Sequence, residues 1–192
     1  ETMVLAKEKG LVMAEAVTIY HMPLYKKLRE ILDAGTLGKV NLLTMNFGSF
    51  KEYDENNRFF NRNLAGGAML DIGVYALSFV RWFLDSKPDQ LLSQVRTAST
   101  GVDEQSGLLL TNQEGQMATV MLSLHSKQPK RGMISCERGY IEIMEYPRAG
   151  EAKVTYTDTG KTEIIEAGDN ADALYYEVLD MEHAIISELP ML

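Results

Sequence analysis

"NLAGGAMLDIGVYALSFV", Asn63 to Val80, carries a single charged side chain, Asp71, in an otherwise apolar run. The run predicts a helix over roughly 67–84, opened by Gly66-Gly67 and closed by "KPDQ" at 87–90. Residues i and i+4 of a helix share a face, so Asp71 and Tyr75 point the same way, with Ser78 and Trp82 continuing the row. Gly73 inside the helix costs roughly 1 kcal/mol relative to Ala, which a helix accepts most readily where something large lies against it. Asp71 falls in or near the first turn, where the helix dipole favours a negative charge, and once buried it needs a partner. Spacing alone leaves two readings open: half of an active site, or a capping acid beside a core tyrosine.

Working outward, "HMPLYKKLREILDAGTLGKV" (21–40) predicts a helix with Leu24, Leu28, Leu32 and Ile31 as its apolar stripe and Gly35 as its stop. "VNLLTMNFGSF" (40–50) reads as a strand, and "KEYDENNRFFNRN" (51–63) as a polar loop leading into the central helix. Upstream, "ETMVLAKEKGLVMAEA" (1–16) reads as the last turns of a helix, a stop at Gly10 and a buried strand. That is the closing αβ unit of a parallel sheet whose earlier strands are not in this chain. The C-terminal "SELPML" (187–192) places apolar residues beyond a proline with nothing to bury them. Both ends therefore read as cuts within a longer protein.

Beyond residue 90 the period changes. "LLSQVRTAST", "QSGLLLTN" and "MATVMLSLHS" are strand-like, the last with Ala118, Val120, Leu122 and Leu124 on one face, and "NQEGQ" is a turn. "KQPKR" (127–131), the densest basic cluster, reads as a loop. "MISCERGYIEIMEY" and "AKVTYTDTGKTEIIEA" read as hairpins around "ERG" and "DTG". In "ADALYYEVLDMEHAIIS" a helix would set Leu174, Val178, Met181 and Ile185 on one face. The expected fold class is α+β: a mainly antiparallel, open-faced sheet of about six strands with helices on one face.

The bulk numbers are those of a globular chain: 192 residues, 45% hydrophobic, 24% charged, net charge −8. Such an acidic field argues against nucleic acid and anionic membrane surfaces as partners. No apolar run reaches membrane-spanning length by inspection, and no signal peptide is present. One cysteine, Cys136, excludes an internal disulfide and suggests a reducing, cytoplasmic compartment. Cys136 has no recognisable base partner, and His125 and His183 lie too far apart in sequence to suggest a metal site.

"RFFNRNLAGGAMLDIGVYALSFVRWFL" (58–84) resembles the signature of the glucose–fructose oxidoreductase/inositol dehydrogenase (Gfo/Idh/MocA) family, and its tyrosine is similar to the dihydrodiol dehydrogenase branch. "EKGLVMAEAVTIYHMPLYKKLREILDAGTLGKV" (8–40) resembles the family's junction between its nucleotide-binding and substrate domains. The resemblance covers the first 85 residues closely and the remainder in pattern. It implies that residues 1–16 are the tail of a dinucleotide-binding domain and 17–192 a substrate-binding and dimerisation domain.

By the same carry-over the parent is an NAD- or NADP-dependent oxidoreductase acting on a sugar, polyol or diol, with Tyr75 as general acid/base and Asp71 as its partner. A lysine cation beside a phenol lowers its pKa, and in the family an "EKP" lysine from the nucleotide-binding domain supplies it. This chain has neither "EKP" nor G-x-G-x-x-G, so the cofactor would be held mainly by another domain and the fragment would be inactive alone. The resemblance also implies substrate contacts for His21, Arg58 and Asn61, and a homodimer through the open sheet face. A non-catalytic dimerising or ligand-binding protein on the same scaffold is the competing expectation.

Overall fold

The structure, a computed structural model, describes residues 2–187; the rest of the C-terminal "SELPML", 188–192, lies outside them. In chain order it contains α1 (Thr2–Glu8), α2 (Pro23–Asp33), β1 (Val40–Gly48), a π-helical turn (Met69–Gly73) that runs directly into α3 (Val74–Phe83), and then seven further strands. These are β2 (Gln90–Thr97), β3 (Asp103–Thr111), β4 (Met117–Ser123), β5 (Gln128–Cys136), β6 (Gly139–Met144), β7 (Glu151–Tyr156) and β8 (Thr162–Glu166). The helix α4 (Ala173–Ser187) follows.

All eight strands form one sheet in the order β2-β3-β4-β1-β5-β6-β7-β8, antiparallel throughout except for β1 beside β4. The expected class is therefore correct, with eight strands where about six were expected. β1 enters between β4 and β5 from far upstream in sequence, and long-range insertion of this kind leaves no local signal.

Alternation fixes which face is covered. Ala118, Val120 and Leu122 of β4 are buried, whereas Met117 and Met121 are exposed on the opposite face. Leu43, Met45 and Phe47 of β1 and Ile141 and Ile143 of β6 join the buried side. Against that side lie α2, through Leu24, Tyr25, Leu28 and Leu32, and α3, through Ala76, Phe79, Val80 and Phe83. Aromatic rings join the helices: Tyr25 of α2 meets Phe79 of α3 edge-on at 6.1 Å, and Phe83 at 6.1 Å. Gly132 of β5 lets Phe79 approach, since a Cβ there would stand 2.8 Å from the ring.

Four local expectations are corrected. Residues 11–16 form no strand: Leu11, Val12 and Met13 are exposed, as an apolar segment must be when no neighbouring strand is present to pair with it. "KQPKR" is not a loop, because Gln128–Arg131 opens β5; Pro129 is tolerated there because a bulge between Asn46 and Gly48 interrupts the ladder. Nor does α4 bury the face predicted for it. Leu174, Val178 and Ile185 are exposed, and Ala173 and Ala184 are its buried residues. Ion pairs dock it instead: Asp180 meets His21 Nδ1 and Lys26 Nζ, each at 2.8 Å.

Finally, Arg62–Phe83 is long and apolar enough to cross a membrane, with mean hydropathy 1.3, although inspection of the sequence suggested no such run. Half of it is buried within the domain, which is the signature of a core helix.

Candidate active site

The central helix begins as a π turn. Its i→i+5 geometry is rare and occurs mostly as single turns at functional sites, and here it holds Met69, Leu70, Asp71, Ile72 and Gly73. Gly73 explains how the turn sits so close to the sheet. A Cβ at that position would stand 2.7 Å from Met69 Sδ and 3.0 Å from Leu122 Cδ1 on β4. The large neighbour expected against Gly73 is thus a strand side chain.

A carboxylate from the sheet fixes the start of the turn. Asp103 Oδ2 accepts the Met69 backbone N–H at 2.8 Å and the Ser106 hydroxyl at 2.7 Å. Gly67, at φ +119°, lies so near the Asp103 side chain that only a residue without a Cβ fits. Sequence reasoning missed Asp103, because no local pattern links residue 103 to residue 69.

Asp71 is largely buried, with 12% of its side chain exposed, and its Oδ1 accepts a hydrogen bond from Arg58 Nη2. The structure thus joins two of the expected site residues, and the guanidinium counters the Asp71 charge. Arg58 also lies over the Phe59 ring at 4.5 Å, as does Lys51 at 4.3 Å, so Phe59 positions two cations at the mouth of the turn. Among the described residues Asp71 Oδ2 has no hydrogen-bond partner.

Tyr75 is half-buried and packs on Phe47 at a ring separation of 6.2 Å. Its phenol makes no hydrogen bond among the described residues, and none joins it to Asp71. It lines a cavity of about 790 Å³ that also takes in Phe47, Lys130, Arg148 and Asn170. Lys130 and Arg148 are further residues the sequence did not reveal. Lys130 is carried by the bulged start of β5, and Arg148 by a short turn between β6 and β7.

The remaining expected residues lie elsewhere. Asn61 caps the 3-10 turn Arg62–Leu64: its Oδ1 accepts from Asn63 N at 2.9 Å and its Nδ2 donates to the Glu55 carbonyl at 3.2 Å. Both polar ends are therefore engaged in shaping the loop before the helix. His21 is buried against Asp180 and lines a separate cavity of about 240 Å³ with residues of α4. Burial, reinforced by Glu137, pushes the Cys136 thiol up to about 11, so it stays protonated near neutrality. No cluster of three or more His, Cys, Asp or Glu side chains suited to a metal ion occurs among the described residues.

The candidate site is thus an acid and a phenol on a helix that covers one side of a mainly antiparallel sheet. The chain belongs to the GFO/IDH/MocA C-terminal domain family, which it matches over residues 25–142. It is 28% identical over 146 residues to trans-1,2-dihydrobenzene-1,2-diol dehydrogenase of Mus musculus, covering 76% of this chain and 43% of that protein. The Sus scrofa enzyme of the same name is 29% identical over 141 residues, 73% of this chain and 42% of that protein. The chain thus spans less than half the length of these curated relatives.

Solved structures share the fold. The aldose–aldose oxidoreductase of Caulobacter crescentus superposes with a TM-score of 0.85 at 18% identity, covering 99% of this chain and 58% of that one. The 3-ketoreductase KijD10 of Actinomadura kijaniata, solved with NADP and TDP-benzene, gives 0.83 at 19% identity, covering 98% and 59%.

Proposed function

We propose that this chain forms the substrate-side half of an NAD(P)-dependent oxidoreductase acting on the CH–OH group of a sugar, polyol or diol. One observation carries the reading: the Tyr75 phenol, on a π-to-α helix, is left without a hydrogen-bond partner among the described residues at the wall of a cavity large enough for such a substrate. The relatives named above as diol dehydrogenases support the substrate class.

The nicotinamide, when bound, accepts or returns the hydride. Tyr75 holds the proton that leaves or joins the substrate oxygen, while Asp71, fixed through Oδ1 by Arg58 and outside the lining of the Tyr75 cavity, orients the turn that leads into Tyr75. The residues present fit one wall of a cofactor site. Leu70, 63% exposed, continues with Val74 and Leu77 into an apolar groove beside the Asp71–Tyr75 turn, against which a nucleotide-binding domain would rest. No glycine-rich loop able to cradle a pyrophosphate is present in the sequence, so the phosphates would be held elsewhere.

Homodimerisation through the open sheet face belongs to the same proposal. Met117, Met121, Leu42 and Leu92 stand exposed on that side, and Leu92 and Met121 line a shallow concavity of about 730 Å³ there. A net charge of −8 and a single cysteine fit a cytoplasmic enzyme of small molecules, with neither nucleic acid nor membrane as partner.

Titrating the full-length protein with NADH and NADPH while following nicotinamide fluorescence, then screening sugars, polyols and diols for turnover, tests this reading. Binding of one nucleotide with substrate-dependent absorbance change is expected. Failure to bind either nucleotide would overturn it and leave a dimerising or ligand-binding protein on the same scaffold.

A further inference from the structure

Six charged side chains line the Tyr75 cavity, Arg148 among them. Lys130 is paired with Glu145 at 3.0 Å, Glu142 with Arg131 at 2.5 Å, and Lys153 lies opposite Glu142 in the β6–β7 register. The Arg148 side chain makes no ion pair or hydrogen bond among the described residues, and neither do those of Glu151 and Lys153. Asn170, on the same wall, likewise leaves its side-chain amide without a partner among them.

The backbone that presents Arg148 is unusually constrained. Glu145 adopts φ +52°, a left-handed conformation uncommon outside glycine and of a kind that clusters at ligand-binding sites. Tyr146 follows with its side chain fully buried, edge-on to Phe79 at 5.7 Å, and its carbonyl accepts the Tyr25 hydroxyl. Pro147 then fixes the next φ, and the Arg148 N–H closes the turn on the Glu145 carbonyl at 3.2 Å. On its far side Gly150 lies against Gly168, whose carbonyl leaves no room for a Cβ, and its own carbonyl accepts Ala167 N–H at 2.9 Å. A buried aromatic anchor, a proline and a strained residue together hold one exposed guanidinium at the rim of the cavity.

We propose that Arg148 is a specificity-determining residue that binds an anionic group, carboxylate or phosphate, on the substrate, with the Asn170 amide as a second donor. A guanidinium offers a planar pair of N–H donors matched to either oxyanion, and with no intramolecular carboxylate to displace, the whole interaction is available to the ligand. The preferred substrates would then be sugar acids or sugar phosphates rather than neutral polyols. This inference rests on the oxidoreductase reading for the identity of the reacting hydroxyl, but not for binding.

Calorimetric titration of the full-length protein with D-glucuronate, D-glucose 6-phosphate and neutral D-glucose tests it without requiring turnover. At least one anionic sugar is expected to bind about tenfold or more tightly than glucose. Arg148→Met, which keeps the apolar stem, should erase that preference while leaving the unfolding midpoint unchanged, and Arg148→Lys should retain part of it. Equal binding of charged and neutral sugars by the unaltered protein, absence of binding by all three, or an unchanged preference in Arg148→Met would each overturn the assignment. A clear anion preference without nicotinamide-dependent turnover would uphold Arg148 and refute the oxidoreductase reading alone.

Discussion

Asp103, on β3, accepts the backbone N–H of Met69 at 2.8 Å, so the sheet itself holds the first residue of the π turn that carries Asp71. The bond satisfies a donor that the helix start leaves orphaned, and the Ser106 hydroxyl locks the carboxylate from behind at 2.7 Å. Asp103→Ala should lower stability by about 1–2 kcal/mol, read from urea unfolding. Asp103→Asn, which keeps an acceptor, should lose less. Equal losses for the two variants would contradict a capping role.

Packing beneath the helix gives a second expectation. Gly132 does not have a positive φ, so substitution there strains no backbone, yet a Cβ would stand 2.8 Å from two atoms of the fully buried Phe79 ring and 3.1 Å from Met45 Cε. Gly132→Ala should destabilise by about 1–3 kcal/mol through overpacking. A neutral result in denaturant titration would mean that α3 shifts freely over β5, and the rigid placement of Tyr75 would lose its basis.

Electrostatics should govern the docking of α4. Burial on its own would raise the Asp180 pKa, but hydrogen bonds from Lys26 and His21 and their charges outweigh it, holding the carboxyl below its ordinary value. A carboxyl depressed in the folded state contributes stability that is complete above its unfolded pKa of about 3.9 and is lost as pH falls through the folded value. Asp180→Asn should therefore cost about 1 kcal/mol at pH 7, and the two proteins should converge below about pH 3. Unfolding free energies measured between pH 2 and 7 check the sign; a gap that widened on acidification would contradict it.

How much of this was legible in the sequence depends on the range of the interaction. Local period placed α2 correctly, with Leu24, Leu28 and Leu32 all buried, and alternation placed Ala118, Val120, Leu122 and Leu124 on the covered face. The "ERG" hairpin emerged as a two-residue connection between Cys136 and Gly139. What failed was whatever a distant partner decides. The apolar face read for α4 is exposed because Asp180 anchors the helix to residues far upstream, and "KQPKR" is a strand because β1 pairs with it. The site divides in the same way. Asp71, Tyr75 and Arg58 lie close in sequence and could be proposed from it, whereas Lys130 and Arg148 reach the Tyr75 cavity, and Asp103 the start of the helix, through sheet topology that leaves no local signal.

Tyr75 is the proposed proton-transfer group. The most direct measurement is the turnover number of Tyr75→Phe in the full-length protein, with its best nucleotide and substrate, beside its unfolding free energy. Losing one hydroxyl that bonds to nothing among the described residues should leave stability within about 0.5 kcal/mol while lowering turnover by about 10²–10⁴-fold. Turnover near that of the unaltered protein would contradict the central claim.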